Sequence, residues 1–548
     1  MDDLRAVAEL ARLDAPPDRA RRFTLMTAPA SVPTAQSDCD CACPTTPLPP
    51  RPAPALRQSD QLRLHPDAAF LELGIELVGQ ERVEGGSIGE ALPPRYPRPT
   101  PEPAEANSQF LLFIPSTLSG VVVNGALRER LLGLRAPQPV AEALGDLPRD
   151  LLERLFELGV LIDERAAEPP RSGETLVAWL HVTNACNLRC TYCYLHKTDE
   201  AMDAATGRAA VDAIVRSAEA HGYRAIKLKF AGGEASLNFP LVWELHDYAR
   251  EIAAARGLEL DAVVLSNGVG LARRSLQELR RRGIKLMISL DGFAADHDAQ
   301  RVFANGRGSF QVVARTIERA RELGLRPDIS VTVSGRTAVG LAALVEWLIE
   351  RDLPFSLNFY RESDCSAGFQ ELQLDERRIV AGMLAAFRAI ARRVPARSLL
   401  SGLIDRANLA APHSKPCGVG ESYLVVDQLG GVAKCQMEIE RPITTVYAAD
   451  PLGVIREDTI GVRNLPVQER AGCRDCAWRL WCAGGCPIAT FRATGRYDVR
   501  SPNCGIYRAL YPAAVRLEGL RILRHGAREH YGAEPVEITT GITEVAGP

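Results

Sequence analysis

The sequence predicts an α/β protein whose largest unit is a partial (β/α)6 barrel. From Leu176 onward, short β-rich runs alternate with stretches of helical apolar spacing. Polar or glycine-rich signatures close four consecutive strand-like runs. The length, 548 residues, requires further domains beside the barrel, at roughly 100–200 residues per domain.

The strand-like runs are 176–183 (LVAWLHVT), 225–230 (AIKLKF), 261–266 (DAVVLS), 285–290 (KLMISL), 328–333 (DISVTV) and 354–359 (PFSLNF). Helical patterns lie between most of them, at 206–221, 240–256, 272–282, 311–323 and 339–351. Such alternation implies a parallel sheet wrapped by helices, with functional groups at the C-terminal strand ends. The segment NACNLRCTYCYL (184–195) follows the first strand, Gly232-Gly233-Glu234 the second and Ser266-Asn267-Gly268 the third; SLDG, Ser289 to Gly292, closes the fourth. Together these point to one ligand held across the barrel mouth.

Residues 1–60 read as a flexible proline-rich segment, in which a short helical stretch at about 3–13 gives way to CDCACPTTPLPPRPAP. A second proline-rich run, LPPRYPRPTPEP at 92–103, reads as a linker or long loop. Residues 61–170 form a small α+β module: an apolar hairpin from Ser108–Pro115 and Gly120–Asn124, a helix in GALRERLLGL, then a helix ended near Gly159 and a strand. The barrel takes 171–400, and 401–548 hold a second cysteine field and a C-terminal tail.

The composition, 46% hydrophobic and 24% charged, is that of a soluble globular protein. A net charge of −3 gives no basic nucleic-acid surface. No apolar run is long enough to span a bilayer, and MDDLRAVAELARLD has no apolar signal core, so the expected location is the cytoplasm. The reducing cytoplasm argues against disulfides for the 14 cysteines, leaving metal or cluster ligation as their leading use.

Cys186, Cys190 and Cys193 stand as C-x3-C-x2-C. Three thiolates are one short of a structural zinc site and one short of the irons of a cubane cluster. A nearby histidine, His181 or His196, could complete a zinc site; alternatively one iron stays open. The triad after strand one, with the aromatic Tyr192 before its third cysteine, resembles the radical SAM enzymes. The resemblance implies a partial barrel of that type and a [4Fe–4S] cluster on the three thiolates. Its unligated iron would bind the amino and carboxylate groups of S-adenosylmethionine, whose reductive cleavage releases a 5′-deoxyadenosyl radical. It also implies cofactor contacts from Tyr192, Gly232, Gly233, Glu234, Ser266, Ser289 and Arg301. The glycines would let the backbone approach the cofactor and Glu234 would accept from its ammonium. Ser289 and Arg301 match positions that hold ribose and carboxylate, Tyr192 would offer backbone contacts to adenine, and Asp291 would orient its loop.

Cys417, Cys435, Cys473, Cys476, Cys482, Cys486 and Cys504 make the second field, with the core CRDCAWRLWCAGGCP. Four of these alone could be a zinc knuckle. All seven resemble the SPASM domain, over about 413–510. That resemblance implies two auxiliary iron–sulfur clusters, one on Cys473, Cys476, Cys482 and Cys504, the other on Cys417, Cys435 and Cys486 with an iron left open. Sulfatase maturases of this family carry an aspartate base directly after the equivalent of Cys435; here Gln436 stands there, and an amide cannot take a proton as a carboxylate does. No catalytic acid or base is assigned by the sequence.

The module at about Leu62–Glu164 resembles the winged-helix, leader-recognition element of ribosomal-peptide maturases. The expected partners are a precursor peptide held through its leader and an electron donor such as flavodoxin or ferredoxin, with no nucleic acid and no membrane. The expected reaction is hydrogen abstraction from the peptide and crosslinking, thioether first. Two rivals stand: a maturase of a protein such as a sulfatase or a quinohemoprotein subunit, and a non-catalytic electron-transfer or sensing protein. Cys39, Cys41 and Cys43 read as a weakly metal-binding tail or a tethered substrate mimic, and Cys365 as a free thiol.

Overall fold

The structure, a computed structural model, describes residues 23–27, 61–65, 68–73, 108–114, 120–140, 142, 147–163, 175–407 and 413–531. The 92–103 run and Cys39, Cys41 and Cys43 lie outside them.

The N-terminal module contains β1 (Phe23–Thr27), β2 (Gln61–Leu64), β3 (Ala69–Glu72), β4 (Gln109–Phe113), β5 (Gly120–Asn124), β6 (Gln138–Pro139) and β7 (Leu161–Ile162). β4 and β5 are the expected antiparallel hairpin, with Phe113 opposite Gly120. Its apolar run has two faces because both are buried. Phe110, Leu112, Val121 and Val123 pack on the module's own helices, whereas Leu111, Phe113 and Val122 join the main core of the protein. Asn124 ends the hairpin and caps helix Gly125–Gly133, its side chain accepting from the Leu127 N–H at 3.0 Å. Helix Arg149–Glu157 buries Leu151, Leu152, Leu155 and Phe156.

The expectation for 1–60 needs correction at one place. Phe23–Thr27 is a strand, paired with β5 and, across nearly the whole chain, with Ala527–Tyr531 near the C-terminus.

The barrel strands are β8 (Thr175–His181), β9 (Ala225–Ala231), β10 (Glu259–Ser266), β11 (Lys285–Ser289), β12 (Asp328–Val333) and β13 (Phe355–Phe359), parallel and in sequential order. Five crossover helices separate them: Ala204–Ala220, Phe239–Ala255, Arg273–Arg282, Phe310–Glu322 and Leu341–Glu350. Leu176, Ala178 and Leu180 of β8 face the helices, while Val177 and Trp179 face the other way, toward Cys417, Cys435 and Cys486. The sheet does not stop near residue 400. β14 (Tyr423–Val426) adds parallel to β8, and β15 (Gly431–Ala433) and β16 (Thr444–Thr445) extend it antiparallel to nine strands. Helix Cys504–His525 then leads into β17 (Ala527–Tyr531), which returns to the N-terminal sheet in the order β17-β1-β5-β4-β3. Among the described residues, no helix is long and apolar enough to cross a membrane.

Candidate active site at the barrel mouth

The cysteine loop is bound to the strand end beside it by backbone hydrogen bonds. The Gly233 N–H donates to Thr183 O at 2.8 Å and the Glu234 N–H to Ala185 O at 2.9 Å. This contact explains the glycines. A Cβ on Gly232 would lie 2.4 Å from Thr183 O, and one on Gly233 2.4 Å from Ala185 O. The glycines therefore admit a close approach of the cysteine loop itself.

Glu234 is 2% exposed. Its carboxylate accepts from Ser266 Oγ and the Asn267 N–H at 2.7 Å each and from the Ser236 N–H at 3.2 Å. Burial raises its pKa while these donors draw it down. Three of about four acceptor sites are filled, so one remains for an ammonium. The Ser266 hydroxyl, donating to Glu234 and accepting from the Gly268 N–H at 3.0 Å, organises the turn. Asn267, whose role the sequence did not suggest, reaches back to the cysteine loop: its Nδ2 lies 3.8 Å from Cys186 Sγ and donates to Asn187 Oδ1 at 2.7 Å.

A buried polar network closes the other side. Tyr192 OH donates to Asp291 Oδ2 at 2.6 Å, Gln300 Nε2 donates to the same oxygen at 3.0 Å, and the Thr332 N–H donates to Asp291 Oδ1 at 2.9 Å. Arg301 donates to Tyr192 OH and stands 3.6 Å from Asp291. Arg301 is 6% exposed, and its Nε has no hydrogen-bond partner among the described residues. Ser289 ends β11 half-buried. Burial pushes the Cys190 thiol up to about 11, so ligation there displaces a proton that free cysteine would hold.

Residues 180–348 match the model of the Radical SAM superfamily. The barrel is a radical SAM domain.

The chain thus carries a domain whose superfamily is catalytic. It is 28% identical over 171 residues to an uncharacterised protein of Methanocaldococcus jannaschii, covering 31% of this chain and 57% of that one, so it spans just over half of that relative's length. It is 24% identical over 392 residues to the serine-type anaerobic sulfatase-maturating enzyme of Klebsiella aerogenes, 66% of this chain and 92% of the relative. It is 26% identical over 168 residues to the sporulation killing factor maturation protein SkfB of Bacillus subtilis, 30% of this chain and 38% of the relative. The fold matches the structure of anSMEcpe with bound AdoMet and Cp18Cys peptide, with a TM-score of 0.53 and 18% identity over 63% of this chain and 99% of that one.

A radical SAM domain implies a [4Fe–4S] cluster and S-adenosylmethionine, and the residues present fit both. The three thiols lie within each other's electrostatic reach. The unpartnered, buried Arg301 Nε suits a carboxylate, and the spare Glu234 acceptor suits an ammonium. His181, buried with Nε2 3.2 Å from Asn184 Oδ1, is pushed down to about 4 by burial.

Beyond the radical SAM domain, the structure brings the C-terminal cysteines together in two sets. Cys435 feels Cys486 and Cys417; Cys473 feels Cys482, Cys504 and Cys476. Burial raises the Cys435 thiol to about 12. At Cys486 burial acts in the same direction but is outweighed by Arg361 and Arg406, and its pKa falls. Arg361 Nε sits 3.2 Å from Cys486 Sγ while its Nη2 holds Asp405 at 2.7 Å. Gln436 is buried and accepts from Tyr423 OH at 3.1 Å. Cys365 is a free thiol, as expected, and it has a neighbour. Its Sγ lies 3.4 Å from His196 Nε2, and His196 Nδ1 lies 2.9 Å from Glu440 Oε1.

Proposed function

We propose that this enzyme cleaves S-adenosylmethionine reductively and modifies a ribosomally made precursor peptide, abstracting hydrogen from a core residue and closing a crosslink, with a thioether favoured. When bound, the cluster and cofactor supply the 5′-deoxyadenosyl radical. Cys186, Cys190 and Cys193 would hold the cluster, with Asn267 against the first sulfur. Arg301 Nε would take the cofactor carboxylate and Glu234 its ammonium, while Tyr192 and Asp291 fix Arg301 from behind.

The observation that carries the peptide reading is the joining of the N-terminal module to the second cysteine field. β1 pairs with β17, which continues directly from the helix that begins at Cys504, and Phe113 packs on Trp481. A leader captured by this body would raise the local concentration of its core peptide. Within the described sheet, β3 is an edge strand and offers the unpaired backbone that strand addition needs. In this reading both cysteine sets hold auxiliary clusters, an external flavodoxin or ferredoxin delivers electrons, and the open iron of the Cys417, Cys435 and Cys486 site takes a substrate thiolate.

A second reading, sulfatase maturation, is favoured by the match across 92% of the Klebsiella enzyme. Against it stands Gln436, an amide already engaged by Tyr423. One experiment separates the two. Anaerobically reconstituted protein is given S-adenosylmethionine, dithionite and either short peptides encoded beside its gene or a sulfatase-motif peptide with serine or cysteine. Loss of two hydrogens with an internal crosslink in a neighbouring peptide supports the first reading. An aldehyde in the sulfatase peptide alone supports the second and overturns the first.

A further inference from the structure

Arg470 is a buried cation that pairs with no carboxylate among the described residues. Its side chain is 1% exposed, among the largest fully buried side chains in the described residues. Nε donates to Leu465 O at 3.1 Å, and Nη1 donates to Gly484 O at 3.2 Å and Gly485 O at 3.3 Å. Nη2 has no hydrogen-bond partner among the described residues. A guanidinium does not deprotonate in a protein, and a buried charge is costly unless an opposite charge offsets it. Sulfurs of both sets act on Arg470, Cys417 and Cys486 of one and Cys473 and Cys482 of the other, and its own carbonyl accepts from the Cys473 N–H at 3.1 Å.

The chain is shaped to admit this side chain. Gly484 and Gly485 have φ of +84° and +74°, and a Cβ on Gly484 would fall 2.4 Å from Arg470 Cδ. The two glycines lie between Cys482 and Cys486, so the loop that clasps the guanidinium also links one cysteine set to the other. Arg361 and Arg406 are different in kind. Both act on Cys486, in one of the two sets, and Arg361 is paired with Asp405.

We propose that Arg470 is the shared counter-charge of the two auxiliary sites, raising the reduction potentials of both clusters together. The proposal rests on the reading that both cysteine sets hold clusters. Each cluster gains one electron on reduction, with no bond made or broken. The added negative charge is stabilised by a fixed positive charge in a low-dielectric interior. Arg470 touches no reacting atom in this account and is a tuning residue between two electron sites.

The test uses full-length reconstituted protein carrying Cys186, Cys190 and Cys193 all changed to Ala, so that only auxiliary clusters contribute. Iron content and an EPR-monitored dithionite titration are measured with Arg470 present, as Arg470→Gln and as Arg470→Lys. The Gln variant is expected to titrate at lower potential at both clusters, by about tenfold in each one-electron equilibrium, or about 59 mV. The Lys variant keeps the charge and is expected to stay near the parent. Full iron with unshifted potentials in the Gln variant, or a shift at one cluster alone, overturns the shared role. Should the Gln variant fail to load iron, the Lys variant decides: parental potentials support the charge role, and a drop as large as tenfold overturns it. If the parent itself shows neither auxiliary iron nor an auxiliary EPR signal, the cluster reading fails, which is a separate result from an unshifted potential.

Discussion

Phe113 meets Trp481 edge-on, with ring centroids 4.7 Å apart and planes at 87°. Phe113 ends β4 of the N-terminal module, and Trp481 stands immediately before Cys482. Both rings are fully buried, and Trp481 also packs against Trp478 and Tyr511. The module is thus seated on the cysteine field by aromatic packing. Phe113→Ala is expected to destabilise the holoprotein by about 3–5 kcal/mol, as for other large-to-small aromatic changes in a core. Denaturant unfolding measures this, and a loss under about 1 kcal/mol would contradict the packing argument.

Gly233→Ala tests the seam between the second strand end and the cysteine loop. The new Cβ would stand 2.4 Å from Ala185 O and 2.6 Å from Asn184 O, so the loop must move. Iron content should fall by about the four atoms of one cubane cluster, and S-adenosylmethionine cleavage should fall with it. Unchanged iron and unchanged cleavage would show that the seam does not shape the site.

Arg301→Lys keeps a positive charge but removes the planar fork and the Nε donor. The apparent KM for S-adenosylmethionine is expected to rise about tenfold, equivalent to roughly 1.4 kcal/mol of binding, with iron content unchanged. An unaltered KM would remove Arg301 from the cofactor site.

Cys365 supplies a pH prediction. Burial is the main cause that raises its pKa, with Cys193 and Glu440 adding in the same direction. A raised pKa means less thiolate at any given pH, so alkylation by iodoacetamide should reach half its maximal rate above the ordinary cysteine value of about 8.5. Peptide mapping of the labelled holoprotein distinguishes this thiol from Cys39, Cys41 and Cys43. A half-rate pH below that value would mean that His196 ionises the thiol.

The six barrel strands were legible because each is bracketed by its own local signals. The nearly continuous apolar run of 176–183, a strand buried on both faces, and the turn residues at the following strand ends mark Thr175–His181 and its neighbours almost residue for residue. The four strand-end signatures do meet, and one of them has a role the sequence did not reveal: Gly232 and Gly233 make room for backbone of the same chain. Asn267 was visible only as a turn residue, because its contact with Cys186 exists only after three strands are aligned. Phe23–Thr27 and Ala527–Tyr531 were missed because each is a strand only by virtue of a partner at the opposite end of the chain. Arg470 looked like any other loop arginine, since nothing local reveals that two cysteine sets will fold around it.

The central claim is that Cys186, Cys190 and Cys193 hold a cluster whose open iron binds S-adenosylmethionine. The most direct measurement is 5′-deoxyadenosine formation by anaerobically reconstituted protein given S-adenosylmethionine and dithionite. The account predicts deoxyadenosine from the intact protein and none from the variant with all three cysteines changed to alanine, which still retains auxiliary iron. Cleavage that persists in that variant, or an intact protein that carries zinc at these thiolates and forms no deoxyadenosine, would contradict it.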